Sequence, residues 1–230
     1  MARTRKKDEV QGTFGFMRHG GARKGAGRKP KGKRRRVSHA KREKITPHTP
    51  VHVTTRLVEG LPSLRNPKMY REVLEALVAG AKRPGFRVLH YSIQSNHIHL
   101  IAEGDDTKSF WKGMQGLKVR IARAVNRVLG RKGTVFADRY HPSVLKSPRE
   151  VRAALAYVLK NAQKHGITLG KRVLDPFSSS HWFEGWKEKV ISRFPSMPNP
   201  LPNARSWLMR IGWRKYGGPL SIESRPVGAS

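Results

Sequence analysis

Phe86-Arg87-Val88-Leu89-His90-Tyr91-Ser92-Ile93-Gln94-Ser95-Asn96-His97-Ile98-His99-Leu100-Ile101-Ala102 is the stretch on which the fold turns. Its two apolar runs, Phe86 to Ile93 and His97 to Ala102, flank the polar Gln94-Ser95-Asn96, which reads as two strands closed into a hairpin. Upstream, Val51, Val53, Thr55 and Leu57 alternate with His52, Thr54 and Arg56, the period of two that a strand requires. Asn66-Pro67 then supplies an N-cap and a first-turn proline, and Met69, Tyr70, Val73, Leu74, Leu77, Val78 and Ala81 recur at helical spacing until Pro84-Gly85. Downstream, Phe110, Met114, Leu117, Ile121, Val125 and Val128 form a second helical stripe, with Lys112, Lys118, Arg120, Arg123 and Arg127 on the other faces. A short strand over Arg139 to Lys146 follows, and Pro142 inside it assigns an edge position, because proline cannot donate to a ladder. Ser147-Pro148-Arg149-Glu150 reads as a capping box opening a helix whose buried stripe is Val151, Ala154, Leu155, Val158 and Ala162.

The order strand, helix, strand, strand, helix, strand, helix predicts an α+β, ferredoxin-like (split βαβ) fold: an antiparallel sheet with helices on one face and the other face open. An open face on a basic domain is where single-stranded nucleic acid usually lies. The charge agrees, since 230 residues carry 48 Lys+Arg against 15 Asp+Glu, a net +33 that attracts polyanions. With no cysteine there is no disulfide, thiolate zinc site or cysteine nucleophile, so any metal must be held by His, carboxylate or amide. No run approaches the roughly 18 apolar residues of a membrane span and no signal peptide is evident, so the expected place is the cytoplasm, on the nucleoid, with no membrane partner.

Three segments are expected. Residues 1–45 are a basic tail, with 17 Lys+Arg and 3 Asp+Glu up to Lys44, and the glycine-rich, like-charged Gly20 to Arg36 stretch should be disordered when free. There Arg28 and Lys29, inside an AT-hook-like Gly27-Arg28-Lys29-Pro30, and Arg34, Arg35 and Arg36 are expected to contact duplex DNA, in the minor groove or as a nonspecific arm. Residues 46–170 form the folded domain. Residues 171–230 form an irregular C-terminal extension with a proline-rich linker at Phe194 to Pro202 and a short basic and aromatic helix over Ala204 to Tyr216, expected to dock on the domain or contact DNA.

His97-Ile98-His99 on a strand projects two imidazoles from one face, where a divalent cation fits between them. Alone, the pair fits an ordinary half-exposed strand better than a metal site. Tyr157 and Asn161, four residues apart on the capped helix, share a face on the shoulder of its apolar stripe. Asn161 can offer an amide oxygen as a third ligand, and Tyr157 would lie beside the ion. Tyr140 is the rival nucleophile but lacks a helical amide partner. His165 extends the same row, although a histidine at a helix C-terminus usually complements the dipole. His90 and His141 are read as packing residues, and Lys118, Arg120, Arg139 and Lys146 as phosphate contacts.

Ser95-Asn96-His97-Ile98-His99-Leu100, followed some sixty residues later by Tyr157-Val158-Leu159-Lys160-Asn161, resembles the single-tyrosine HUH transposases, specifically the REP-associated tyrosine transposases. The likeness spans about Thr46 to Gly166 and includes Val135-Phe136-Ala137-Asp138-Arg139-Tyr140. It implies a ferredoxin-like catalytic domain, a Mg²⁺ or Mn²⁺ ion held by His97, His99 and Asn161, and Tyr157 as the nucleophile that cuts single-stranded DNA at hairpins or repeats through a 5′-phosphotyrosine bond. Many relatives have proline after the asparagine, where this chain has Ala162, and some relatives use glutamine as the amide. Relatives include dimers that share active sites as well as monomers. Two other readings remain open: a non-catalytic nucleic-acid-binding module, such as a repressor or structural RNA-binding protein, and a hydrolytic metal nuclease that forms no covalent adduct.

Overall fold

The alternation at Val51 to Leu57 becomes strand β1 (Val51–Arg56), whose Val51 and Val53 are fully buried while His52 and Thr54 look to the other side. Asn66 caps helix α1 (Pro67–Ala81), its side-chain oxygen accepting the N–H groups of Lys68 and Met69 at 3.0 and 3.4 Å. The helix stops at once into a two-residue strand, β2 (Lys82–Arg83), which turns back at Gly85, where φ is +70°, onto β3 (Phe86–Ile93). Strand β4 (His97–Gly104) completes the hairpin, and Leu89 is the bulged residue in its register with β3. Helix α2 (Thr107–Val128), capped by Asp106, leads to β5 (His141–Val144) and helix α3 (Pro148–Leu159). The structure is a computed structural model that describes residues 43–164, 170, 172–191 and 197–224. The tail residues Arg28, Lys29, Arg34, Arg35 and Arg36, and His165, lie outside the described residues, which all belong to one unit, Val37–Ser230.

The sheet is antiparallel throughout in the order β2-β3-β4-β1-β5. The fold is therefore α+β, and leaving aside short β2 it has the split βαβ strand order. Strand β5 sits at the edge as Pro142 requires, paired with Val53, but it covers only four residues rather than the whole of Arg139 to Lys146. Beyond it the Leu145 N–H turns to the Pro50 carbonyl (2.8 Å) and the Lys146 N–H to the Glu150 carboxylate (2.6 Å), so the ladder ends where the helix cap begins. The capping box at Ser147 and Glu150 is formed.

Helices α1 and α2 pack on one face, against Val53, Ile98, Leu100 and Ala102. The other face is partly covered rather than open. A second apolar cluster joins Leu89 and Ile101 of the sheet to Val151, Leu155 and Val158 of α3 and to Met209 and Trp213 of the C-terminal segment. Strand β4, central and buried from Ile98 to Gly104, has apolar positions on both sides and needs cover on both. The C-terminal segment also shields the free edge of β3: the Ile93 N–H donates to the Phe177 carbonyl (2.9 Å) and the Tyr91 N–H to the Ser179 hydroxyl (3.0 Å). The segment is pinned by a bidentate pair, Arg65 Nη1 and Nη2 at 3.0 and 2.8 Å from the two carboxylate oxygens of Asp175.

Continuity of the last helix through Asn161 is the second departure. Helix α3 ends at Leu159, Lys160 leaves helical geometry (φ −112°, ψ 15°), and a single turn, α4 (Asn161–Lys164), follows. The Lys160 ammonium is drawn to the Ser221 carbonyl (3.0 Å) and the Ser224 hydroxyl (2.9 Å) and carbonyl, a demand from far along the chain that overrides local helix preference.

Two outcomes follow from this packing. A Cβ on Gly113 of α2 would fall 2.1 Å from the Phe86 ring. Gly113→Ala should lower the urea midpoint by an overpacking cost of about 1–3 kcal/mol that outweighs a helix-propensity gain of about 1 kcal/mol; a raised midpoint would contradict this close approach. His90, whose Nδ1 lies 3.3 Å from the Ser179 hydroxyl and whose ring meets Phe183 edge-on, is pushed by burial down to about 4 from 6.5. The unfolded chain takes up that proton as pH falls below 6.5, so stability present at neutral pH is lost between pH 6.5 and about 4. Replacing His90 with Gln should flatten the pH dependence of stability there by one proton, and an unchanged slope would show that burial does not hold this ring neutral.

Candidate active site

Antiparallel pairing of β1 with β4 sets Thr54 opposite His99 and Arg56 opposite His97. His52, Thr54, His97 and His99 therefore share the face that α3 covers, while Ile98 and Leu100 point into the α1/α2 core. The His97 and His99 ring centroids are 4.7 Å apart at 89°. His99 is 3% exposed; its Nδ1 lies 3.0 Å from the Thr54 hydroxyl and 3.3 Å from His52 Nε2. Burial pushes His52 down to about 4, so its ring is neutral at pH 7. His97 is half-buried, and its Nδ1 lies 2.8 Å from the Asn96 side-chain oxygen. That oxygen only accepts, so the proton sits on Nδ1 and in the neutral ring Nε2 carries the lone pair.

Helix α3 brings Tyr157 over this floor. Its half-buried ring meets His99 edge-on at 5.1 Å and His52 edge-on at 5.6 Å. Asn161, in the turn after the break at Lys160, is 1% exposed, and neither side-chain atom has a hydrogen-bond partner among the described residues. A buried amide without partners is costly, and a cation or an incoming polar group would satisfy its oxygen. Among the described residues no three His, Cys, Asp or Glu side chains gather as a metal cage. Imidazole nitrogen and amide oxygen are nevertheless donor types suited to a borderline or hard divalent ion, and the two imidazoles lie side by side.

The ring contacts bring His97, His99 and Tyr157 together. Tyr140, the rival nucleophile, is 6% exposed and packs on Trp111 of α2 at 5.9 Å, across the sheet from the histidines. Lys118 turns to its own chain, donating to the Asp138 carbonyl (2.9 Å) and sitting 4.7 Å from the Phe136 ring centroid. Lys118 and Arg139 line a cleft of about 680 Å³ beside α2, and Arg120 is exposed on the same helix, so these three lie on the side away from Tyr157. Lys146 pairs with Glu43. His90 packs as expected, while His141 is exposed on β5 opposite Thr54, at the rim of the histidine face. His52 and Thr54 carry no motif in the sequence. Their alternation with Val51 and Val53 was the available signal, but it needs the β1–β4 register to become a contact with His99.

A split βαβ sheet whose central strand offers a histidine pair to a tyrosine-bearing helix defines the chain as an α+β protein with an imidazole and phenol site. Residues 51–161, from the start of β1 to Asn161, match the family described as "Transposase IS200 like". The stretch from β1 to Asn161 is thus similar to the IS200-like transposases. Among solved structures, a REP-associated tyrosine transposase bound to a REP hairpin shares the fold, with 19% identity and a TM-score of 0.50 over 64% of this chain and 84% of that one. No curated protein matches the sequence. Among the described residues no helix is long and apolar enough to cross a membrane.

The hydrogen bond from His97 to Asn96 gives a direct test. Two-bond ¹⁵N–¹H spectra of the imidazoles should show His97 as the Nδ1–H form, and Asn96→Ala should let the Nε2–H form appear. A native spectrum already showing Nε2–H would contradict the assignment.

Proposed function

We propose that the protein cleaves and rejoins single-stranded DNA at hairpin or repeat elements, with Tyr157 as nucleophile, and that it belongs among the REP-associated tyrosine transposases. The observation that carries this reading is the edge-on seating of Tyr157 against His99, within one ring contact of His97. His97 Nε2, His99 Nε2 and the Asn161 amide oxygen would hold a Mg²⁺ or Mn²⁺ ion. When bound, that ion withdraws charge from a phosphodiester and orients it. Thr54 and His52 position His99 by holding its Nδ1, and Asn96 does the same for His97, the supporting hydrogen bonds that metal-binding imidazoles ordinarily have.

Tyr157 attacks phosphorus: its O–P bond forms, the phenolic proton is lost, and the P–O3′ bond breaks to leave a 3′-OH. The 5′-phosphotyrosine keeps the energy of the broken phosphodiester, so a 3′-OH from another end reverses the step without ATP. The placement of α3 favours this nucleophile over Tyr140, which is buried beside α2. The relative bound to a REP hairpin makes hairpin-flanked single strands the substrate to test. The basic tail would add affinity for duplex DNA through Arg28, Lys29 and Arg34 to Arg36, and the chain would act in the cytoplasm on the nucleoid.

Incubating the full chain with hairpin-flanked single-stranded DNA and Mn²⁺ should give a denaturant-resistant protein–DNA adduct. Tyr157→Phe should abolish that adduct and leave binding intact, and EDTA should prevent it in the native chain. An adduct that persists in Tyr157→Phe moves the nucleophile elsewhere, cut DNA with no adduct indicates a hydrolytic nuclease, and binding without cutting indicates a binding module.

A further inference from the structure

Glu103 is a buried carboxylate toward the end of β4 opposite the histidine pair. One oxygen accepts the Arg205 backbone N–H (2.9 Å) and lies 3.3 Å from Arg87, and the other accepts the Ser206 N–H (3.0 Å). This anchors the start of the C-terminal helical segment. A π-helical turn, Leu208–Gly212, runs directly into α5 (Trp213–Gly217), and Met209 and Trp213 are buried against α3. Arg152 of α3 holds the far end through the Gly218 and Pro219 carbonyls. The segment is thus fixed on the side of the sheet that carries Tyr157.

Its outer side differs. Trp207 is 53% exposed, the one exposed indole among the five tryptophans. It is not a loose side chain: a Cβ built on Gly212 would fall 2.6 Å from the indole, so the ring lies against the backbone where the wide π turn brings residues five apart together. Arg210, Ile211 and Lys215 are exposed on the same short segment. Arg214 is committed to the fold, donating to the Glu184 carbonyl (3.1 Å) and covering Trp213. A half-exposed indole seated on the backbone, with exposed cations on the same short segment, is complementary to an unpaired nucleotide: the ring takes the base face, and the cations take the phosphates.

We propose that Trp207 is a stacking platform for an unpaired base of single-stranded DNA, held by Gly212 and flanked by Arg210 and Lys215 as phosphate contacts. The inference shares its DNA partner with the proposed function but not its chemistry. Stacking tolerates any base, so this surface supplies affinity and places the strand on the α3 side without reading sequence.

The test is anisotropy titration of the full chain with labelled oligothymidylate, oligouridylate and a blunt duplex. Trp207→Ala should weaken oligothymidylate binding by about fivefold to a hundredfold, the range of one lost stack. Trp207→Phe should restore most of it, and the blunt duplex should be unaffected. Gly212→Ala, with an unchanged thermal midpoint, should behave like Trp207→Ala because the ring is displaced. Tyr157→Phe should keep the full Trp207-dependent affinity, so failure of the adduct chemistry and failure of the platform are read separately. Unchanged oligothymidylate binding in Trp207→Ala, equal loss on the blunt duplex, or Trp207-dependent binding of oligouridylate alone would overturn the proposal. So would Trp207-dependent self-association in sedimentation or capture on anionic vesicles in place of DNA.

Discussion

Strand β4 has to serve two cores at once. Its pleat sends Ile98, Leu100 and Ala102 under α1 and α2 and sends His99 and Ile101 under α3, and a slip of one residue would exchange the two sets. The pairing of Thr54 with His99 and Val53 with Leu100 locks that register from the β1 side. The histidine pair is therefore held by the same packing that stabilises the sheet, and it cannot move without exposing apolar side chains.

The rest of the chain completes the second face. The apolar stripe of α3 packs in one cluster with Leu89 and Ile101 of the sheet and with Met209, Trp213 and Leu220 of the C-terminal segment. Glu103 and Arg87 organise the start of this segment, and Lys160 gathers its end at Ser221 and Ser224. Burial lowers the Lys160 ammonium to about 8 from 10.5, with Glu188 opposing that shift. The same lysine interrupts the helix between Tyr157 and Asn161, so the phenol and the amide are placed by separate elements rather than by one continuous helical row.

Local periodicity makes the strands and the long helices legible, and the caps at Asn66 and Ser147 with them, because these residues act within three residues of themselves and the β1 and β4 alternation is set by the pleat. The two-residue strand β2 carries no period to read. The cover on the second sheet face, the break at Lys160 and the partnership of His52 and Thr54 with His99 depend on contacts between distant parts of the chain, and composition alone does not encode which partners meet. The basic residues show the same division. Lys118 and Arg120 were recognisable as a charged helix back, but only the packing of α2 puts that back on the side away from Tyr157. The indole of Trp207 was visible as an aromatic among cations, whereas its fixed seat on Gly212 required the π turn.

Whether a cation sits between the imidazoles beside Tyr157 is read from the anomalous difference density of a crystal of the full chain grown with Mn²⁺ and a hairpin-flanked single strand. A single strong peak is expected within ligand distance of the Nε2 atoms of His97 and His99, on the Tyr157 side of β4 and sharing the Asn161 amide oxygen. Density elsewhere, or an empty histidine pair with the strand bound, would contradict it.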